Sequence, residues 1–294
     1  MHWRKVTLVG VGLLGGSLGL ALRARQLAGQ VCGFVRRASA VTECEGLGVV
    51  DSATRDLREA VSGADLIVLC SPIGQMPELL AEIAAAASSS AVVTDVGSVK
   101  ASLVAQLEPI ARRSGLKYVG SHPMAGSEKT GPRAAKGDLF VGATCIVTPT
   151  ATSDPVAVGV VNQLWAAVGG QVMTLTPQAH DELVSRSSHL PHVTAAALAN
   201  YVLSPAHPKQ QGQVCAGGFR DTTRVAGGSP QMWRDIALAN RPYLSRTLGV
   251  YIEDLMEFRR ALDEGNAAVI EEFFTVAKQR RDAWAQATTN ESAE

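Results

Sequence analysis

The chain has 294 residues, enough for roughly two domains with a sizeable core. Apolar residues make up 46% and charged residues 18%, a globular balance that excludes a disordered chain. The 27 Lys and Arg offset 27 Asp and Glu, which argues against a nucleic-acid binder held by phosphate neutralisation.

Residues 5–9 form a β-rich run, followed by Gly10-Val11-Gly12-Leu13-Leu14-Gly15 and a helix over 17–25. With Arg4-Lys5 in front, the run over 6–22 mimics an export signal. Glycines at 10, 12, 15, 16 and 19 suit a strand, a tight turn and a helix start instead. No other segment reaches the ~18 uninterrupted apolar residues of a membrane helix, so no membrane span is expected.

A second strand is expected over 31–35, helices over 40–47 and 57–61, and an apolar strand over 66–70 ended by Ser71-Pro72. A helix over 77–87 and strands over 91–95, 117–120 and 144–148 continue the series. Apolar strands alternating with helices predict a parallel sheet covered on both faces. A helix over 154–168, stopped by Gly169-Gly170, and a strand over 171–176 close this half.

From Pro177 the pattern is helical throughout: 181–203 with a kink at Pro191, 244–262 and 266–283. The boundary is therefore placed between an α/β dinucleotide-binding domain, 1–176, and an all-α domain, 177–294. The polar tail from Gln286 is expected to fray. The five cysteines show no CxxC pattern, which predicts reduced thiols in a cytoplasmic protein and no zinc cage.

Gly10-x-Gly12-x-x-Gly15 sits after a predicted strand and opens a predicted helix, the context of a dinucleotide fingerprint. Gly10, Gly12, Leu13, Leu14 and Gly15 are the expected cofactor contacts of this turn, against the plainer reading of a glycine-rich βα turn. At the end of the second strand, where an acid would hold the ribose of NAD, the chain has Val35-Arg36-Arg37. Arg36 and Arg37 suit a 2′-phosphate, so NADP is expected over NAD; the alternative is a solvated basic loop.

Two further loops follow strand ends: one carries Ser98, the other His122, Ser127 and Glu128. A histidine there is well placed as a general base, and Ser98 is either its orienting partner or a plain helix cap. His189 and His192 share one helix face, and nothing around them supplies a third metal ligand, so no metal is expected. Arg220 and Arg224 follow a glycine turn; Arg224 either grips a carboxylate or pairs with Asp221 on the surface.

Together these segments resemble the prephenate/arogenate dehydrogenases of tyrosine biosynthesis. The resemblance rests on the glycine turn through Ser17, Thr94-Asp-Val-Gly-Ser-Val-Lys100, and Gly120-Ser-His-Pro-Met-Ala-Gly-Ser-Glu128. Ser188-His-Leu-Pro-His192, Gly218-Phe-Arg-Asp-Thr-Thr-Arg224 and Met232-Trp-Arg-Asp235 complete it, in the family's order over about residues 6–280.

It implies a Rossmann domain, a helical domain that makes a homodimer, and an active site between the two domains. It further implies His122 as the base, Ser98 as its partner, and Arg224 on the ring carboxylate. His192, Glu128 and Ser127 would face the substrate, and Ser71-Pro72 the cofactor. The implied activity is NAD(P)-dependent oxidative decarboxylation of prephenate, with arogenate as the alternative substrate. Two other readings are a lysine-centred reductase of similar build and a non-catalytic NAD(P) sensor. The missing acid after the second strand departs from NAD-using members, and no regulatory domain is expected after the helices.

Overall fold

The computed structural model describes residues 2–291, arranged as two compact units; the first ends at Arg241 and the second begins at Pro242. The first unit is built on a six-stranded sheet of β1 (Trp3–Val9), β2 (Ala28–Phe34), β3 (Ser52–Thr54), β4 (Leu66–Leu69), β5 (Val92–Asp95) and β6 (Lys117–Tyr118). The spatial order is β3-β2-β1-β4-β5-β6 and every pair is parallel. Helices α1 (Leu13–Ala24), α2 (Ala38–Gly46), α3 (Leu57–Val61), α4 (Met76–Ala84) and α5 (Ala101–Ser114) make the crossovers.

The apolar runs are explained by two cores. Leu66 and Val68 of β4 enter one cluster, and Ile67 and Leu69 enter the other on the opposite face. Strands covered on both faces have no polar alternation to show. The strand order reverses between β1 and β4, and in such sheets ligands bind beyond the strand ends at that switch point.

The predicted strand series does not stay in one sheet. Val119 donates its amide to the Val93 carbonyl at 2.9 Å, and the chain then leaves β6. β7 (Gly120–Pro123), β8 (Thr144–Thr148) and β9 (Gln171–Thr174) form a separate three-stranded sheet. In it β7 and β8 are antiparallel, while β8 and β9 are parallel. Gly120 permits the switch, because a Cβ there would stand 2.7 Å from Thr148 Oγ1. His122 therefore lies on a buried strand, not on the loop expected from sequence.

After α6 (Pro155–Ala167), capped by Asp154, the last strand ends at Thr174. The compact unit continues through helices to Arg241. α7 (Pro177–Val184) is capped by Thr176, whose hydroxyl accepts the Ala179 amide at 3.2 Å. A π-helical turn, Ser185–His189, then leads into α8 (Leu190–Val202). The irregularity expected at Pro191 thus falls in the turn before it, leaving Pro191 in the first turn of α8, where its missing N–H costs least. The expected glycine turn before Arg224 is instead a short helix, α9 (Gly217–Thr223), continued by a 3-10 turn, Arg224–Gly227. α10 (Pro230–Ala239) follows, capped by Ser229.

The second unit holds most of α11 (Arg241–Asp263) and α12 (Ala267–Glu291), joined through Gly265 at φ +65°. Phe258 packs on Phe273 with ring centroids 4.6 Å apart. Ile252, Leu255, Met256, Phe274 and Trp284 remain exposed on the single chain. α12 passes Gln286, where fraying was expected; residues 292–294 lie outside the described range. All five cysteines are free. Among the described residues, no helix is long and apolar enough to cross a membrane, and no group of three or more His, Cys, Asp or Glu is placed to hold a metal ion.

Candidate active site

The ends of β1 and β4 open into a cleft of about 510 Å³. Gly10, Gly12, Arg36, Arg37, Ser71 and Pro72 all line it. Gly10 has φ +103°, and a Cβ there would press within 3.1 Å of the Cys70 carbonyl and the Ser71 amide. A side chain at Gly15 would collide with the Gly10 carbonyl, so the first turn of α1 can close on the strand only through glycine. Around Gly12 the space is open. Leu13 and Leu14, on that same turn, are not among the residues that line the cleft.

This geometry fits a dinucleotide. The α1 amides are free to receive pyrophosphate, and Gly12 leaves room for it. The Ser71 hydroxyl is buried in the cleft wall without a hydrogen-bond partner, as expected for a group awaiting a ligand. Arg36 and Arg37 are exposed at the rim, and Val35 beside them is buried and offers no side-chain acceptor.

A second pocket, of about 320 Å³, lies in the same compact unit. It gathers Ser98, His122, Ser127, Glu128, His192 and Arg224, together with Ser188 and Trp233. Ser98 stands between β5 and α5, His122 on β7, His192 on α8 and Arg224 just after α9. Four stretches of sequence that are far apart in the chain are thus brought to one cavity.

His122 is 7% exposed and sits in a chain of buried groups. Its Nδ1 lies 2.8 Å from Nε2 of His180, and His180 Nδ1 lies 2.8 Å from Asp181 Oδ1. Asp181 accepts the amides of Lys100 at 2.7 Å and Ala101 at 2.8 Å, capping the start of α5. Among the described residues no hydrogen bond joins Ser98 to His122; the ring meets His180 instead. Burial, then His180 and Lys100, holds the His122 imidazolium well below the ordinary histidine range. His122 is therefore neutral at pH 7, able to accept a proton.

Beneath this chain lies a fully buried ion pair, Lys100 with Asp95. Lys100 also donates to the Ser121 carbonyl at 2.7 Å, and Tyr118 donates to Asp95 Oδ2 at 2.7 Å. Burial lowers the Lys100 ammonium from its usual value, with Asp95 opposing the shift. The pair ties β5, β6 and β7 together under the pocket floor.

On the opposite wall, the His192 ring stacks on Trp233 with centroids 3.8 Å apart, and His192 Nδ1 donates to the Ser188 carbonyl at 2.9 Å. Burial, together with the positive Arg224, lowers the His192 imidazolium. Arg224 meets Glu128 at 3.3 Å, not Asp221, and both remain well exposed. Asn240 donates to His189 Nδ1 at 2.9 Å and to the Asp181 carbonyl at 3.0 Å. Burial pushes His189 down to about 4.

Sequence reasoning missed His180, Asp181 and Asn240. Their signal was present but faint: a His-Asp pair one turn into the helix that Thr176-Pro177 opens.

The fold and the cleft define a dinucleotide-binding α/β protein with a second, imidazole-lined pocket. Residues 18–174 match the family "Prephenate dehydrogenase, nucleotide-binding domain", and residues 176–279 match "Prephenate dehydrogenase, dimerization domain". The chain belongs to the prephenate dehydrogenase family. A cyclohexadienyl dehydrogenase of Zymomonas mobilis is 32% identical, with 95% of each chain covered. A prephenate dehydrogenase of Bacillus subtilis is also 32% identical, over 94% of this chain and 75% of that one. The crystal structure of an A. aeolicus prephenate dehydrogenase with hydroxyphenyl propionate and NAD+ superposes with a TM-score of 0.88. It is 31% identical, over 96% of this chain and 99% of that one.

Proposed function

We propose that the protein is a prephenate dehydrogenase, converting prephenate to 4-hydroxyphenylpyruvate and carbon dioxide with reduction of a nicotinamide cofactor. The observation that carries this reading is the pocket itself. One cavity is lined by a neutral, buried imidazole, His122, together with Arg224 and a second histidine, His192. When bound in the glycine-turn cleft, the nicotinamide ring would take the hydride from the substrate's carbinol carbon.

The chain's own residues do the rest. His122 Nε2 takes the hydroxyl proton as the carbon–oxygen double bond forms. The bond to the ring carboxylate then breaks, carbon dioxide leaves, its electron pair completes the aromatic ring, and the ring oxygen takes the proton back from His122. Arg224 holds that carboxylate, and His192, fixed against Trp233, contacts the substrate from the same wall. Ser98 and Ser127 supply hydroxyls at the pocket edge. Aromatisation drives the reaction; the protein contributes orientation, a base and anion binding.

The cofactor read from this chain is NADP. Arg36 and Arg37 line the cleft where a 2′-phosphate would lie, and no acid stands at the end of β2 to hold a free ribose. Arogenate is the second reading, because the Glu128 carboxylate in the pocket offers a partner for its ammonium group. A second copy of the chain covers the exposed apolar side chains of α11 and α12 as a homodimer. With all its cysteines free, the enzyme works in the cytoplasm.

The test is turnover of the purified protein with prephenate and with arogenate, each with NAD+ and NADP+, followed by absorbance of the reduced nicotinamide. Specificity constants rank substrates and cofactors. Cofactor binding without turnover on either substrate would instead mark a non-catalytic sensor.

A further inference from the structure

The proposed reaction uses His122 directly, and the structure places a second, fully buried histidine behind it with no contact to the pocket. We infer that His180 is a positioning residue that, with Asp181, decides which nitrogen of His122 carries the proton. The inference rests on the proposed prephenate dehydrogenase activity and deepens it.

The assignment follows from donors and acceptors. Asp181 accepts two backbone amides at the start of α5, and amides can only donate, so its oxygens act as acceptors. His180 Nδ1, 2.8 Å from Asp181 Oδ1, must then carry a hydrogen. In a neutral ring, that leaves His180 Nε2 as an acceptor. His122 Nδ1, 2.8 Å away, must in turn be the donor. The lone pair of His122 is thereby fixed on Nε2, the nitrogen that would take the substrate's proton.

A free imidazole favours the other tautomer, with hydrogen on Nε2, which cannot act as a base at that position. The surroundings keep His122 in the neutral form. Burial comes first, and the Lys100 ammonium acts in the same direction. Once Nε2 has taken the substrate proton, the imidazolium still donates from Nδ1 to His180. The Asp181 carboxylate, one ring further on, balances the new charge.

The experiment compares the native protein with His180→Leu and His180→Gln in the prephenate assay. Leucine removes the acceptor; the glutamine Oε1 keeps it. His180→Leu should lose on the order of 10²-fold or more in kcat, with the prephenate KM and cofactor affinity changed less than about threefold. His180→Gln should stay within about tenfold of native.

A folded His180→Leu with native kcat, or a His180→Gln as impaired as His180→Leu, overturns the inference. If His180→Leu fails to fold, His180→Gln decides alone: a loss of about 10²-fold or more in kcat overturns it. A native protein that turns over neither prephenate nor arogenate would refute the functional reading itself, and this inference with it.

Discussion

Buried neutral histidines should make this protein acid-sensitive well above the pH at which its carboxylates titrate. His189 is fully buried and held down to about 4, against 6.5 for an exposed imidazole. His122 and His180 are shifted in the same direction, each first by burial. Above pH 6.5, folded and unfolded forms of these groups are both neutral, and stability is unaffected. Below it the unfolded chain takes up protons that the folded chain refuses, and stability falls until the folded value is reached. For His189 alone the loss at about pH 5 is about 2 kcal/mol, reaching about 3 kcal/mol near pH 4.

His122 and His180 act in the same direction, against a typical total of about 5–15 kcal/mol. Urea unfolding from about pH 7.5 down to about pH 5, at fixed protein concentration, measures the effect. His189→Gln, which cannot titrate, should show a shallower fall than the native protein. A denaturation midpoint that stays flat over that range, or an identical slope in the variant, would refute the reasoning. Either result would mean that the histidines are hydrated or charged in the folded protein.

Arg224→Ala should raise the prephenate KM about tenfold and leave cofactor KM values unchanged; the low end of the range for a charge-assisted bond applies because the side chain is 63% exposed. Unchanged constants would reduce Arg224 to a surface partner of Glu128. His122→Asn should bind cofactor normally, as read by fluorescence titration, yet lose ~10²–10⁴-fold in kcat. Arg36→Ala should lower the specificity constant for NADP+ by about tenfold at low salt, and less at high salt, without touching that for NAD+. A native preference for NAD+ would show that Arg36 and Arg37 only solvate the rim.

What was legible in the sequence was local. The glycine turn announces itself because strand, turn and helix start lie within fifteen residues, and Gly10 and Gly15 are required by contacts inside that turn. The helix that starts at Asp154 is likewise set by its immediate neighbours. The partner of His122 was not legible, because His180 is 58 positions away and reaches it only through the packing of α7 on β7. Ser98 was the natural guess, being a hydroxyl on a neighbouring loop, but its place in the pocket comes with no bond to the imidazole. The break between β6 and β7 was equally hidden. It depends on a glycine fitting under Thr148, a residue one sheet-strand and 28 positions away.

The π-helical turn at Ser185–His189 sets the angular phase of everything after it. Each residue of an α-helix advances the side chains by about 100°, and a π-turn holds one residue more than an α-turn. Were the turn to tighten into a plain α-helix with every residue kept, its spare residue would be taken up as an added step of the helix. The chain after it would keep its composition and its apolar count but rotate by about a third of a revolution. His189 would leave Asn240, and His192 would leave Trp233, although neither residue had been altered. The hydrogen-bond pattern of one turn is therefore worth more than most substitutions in the pocket, and a change that straightens it alters what the wall presents.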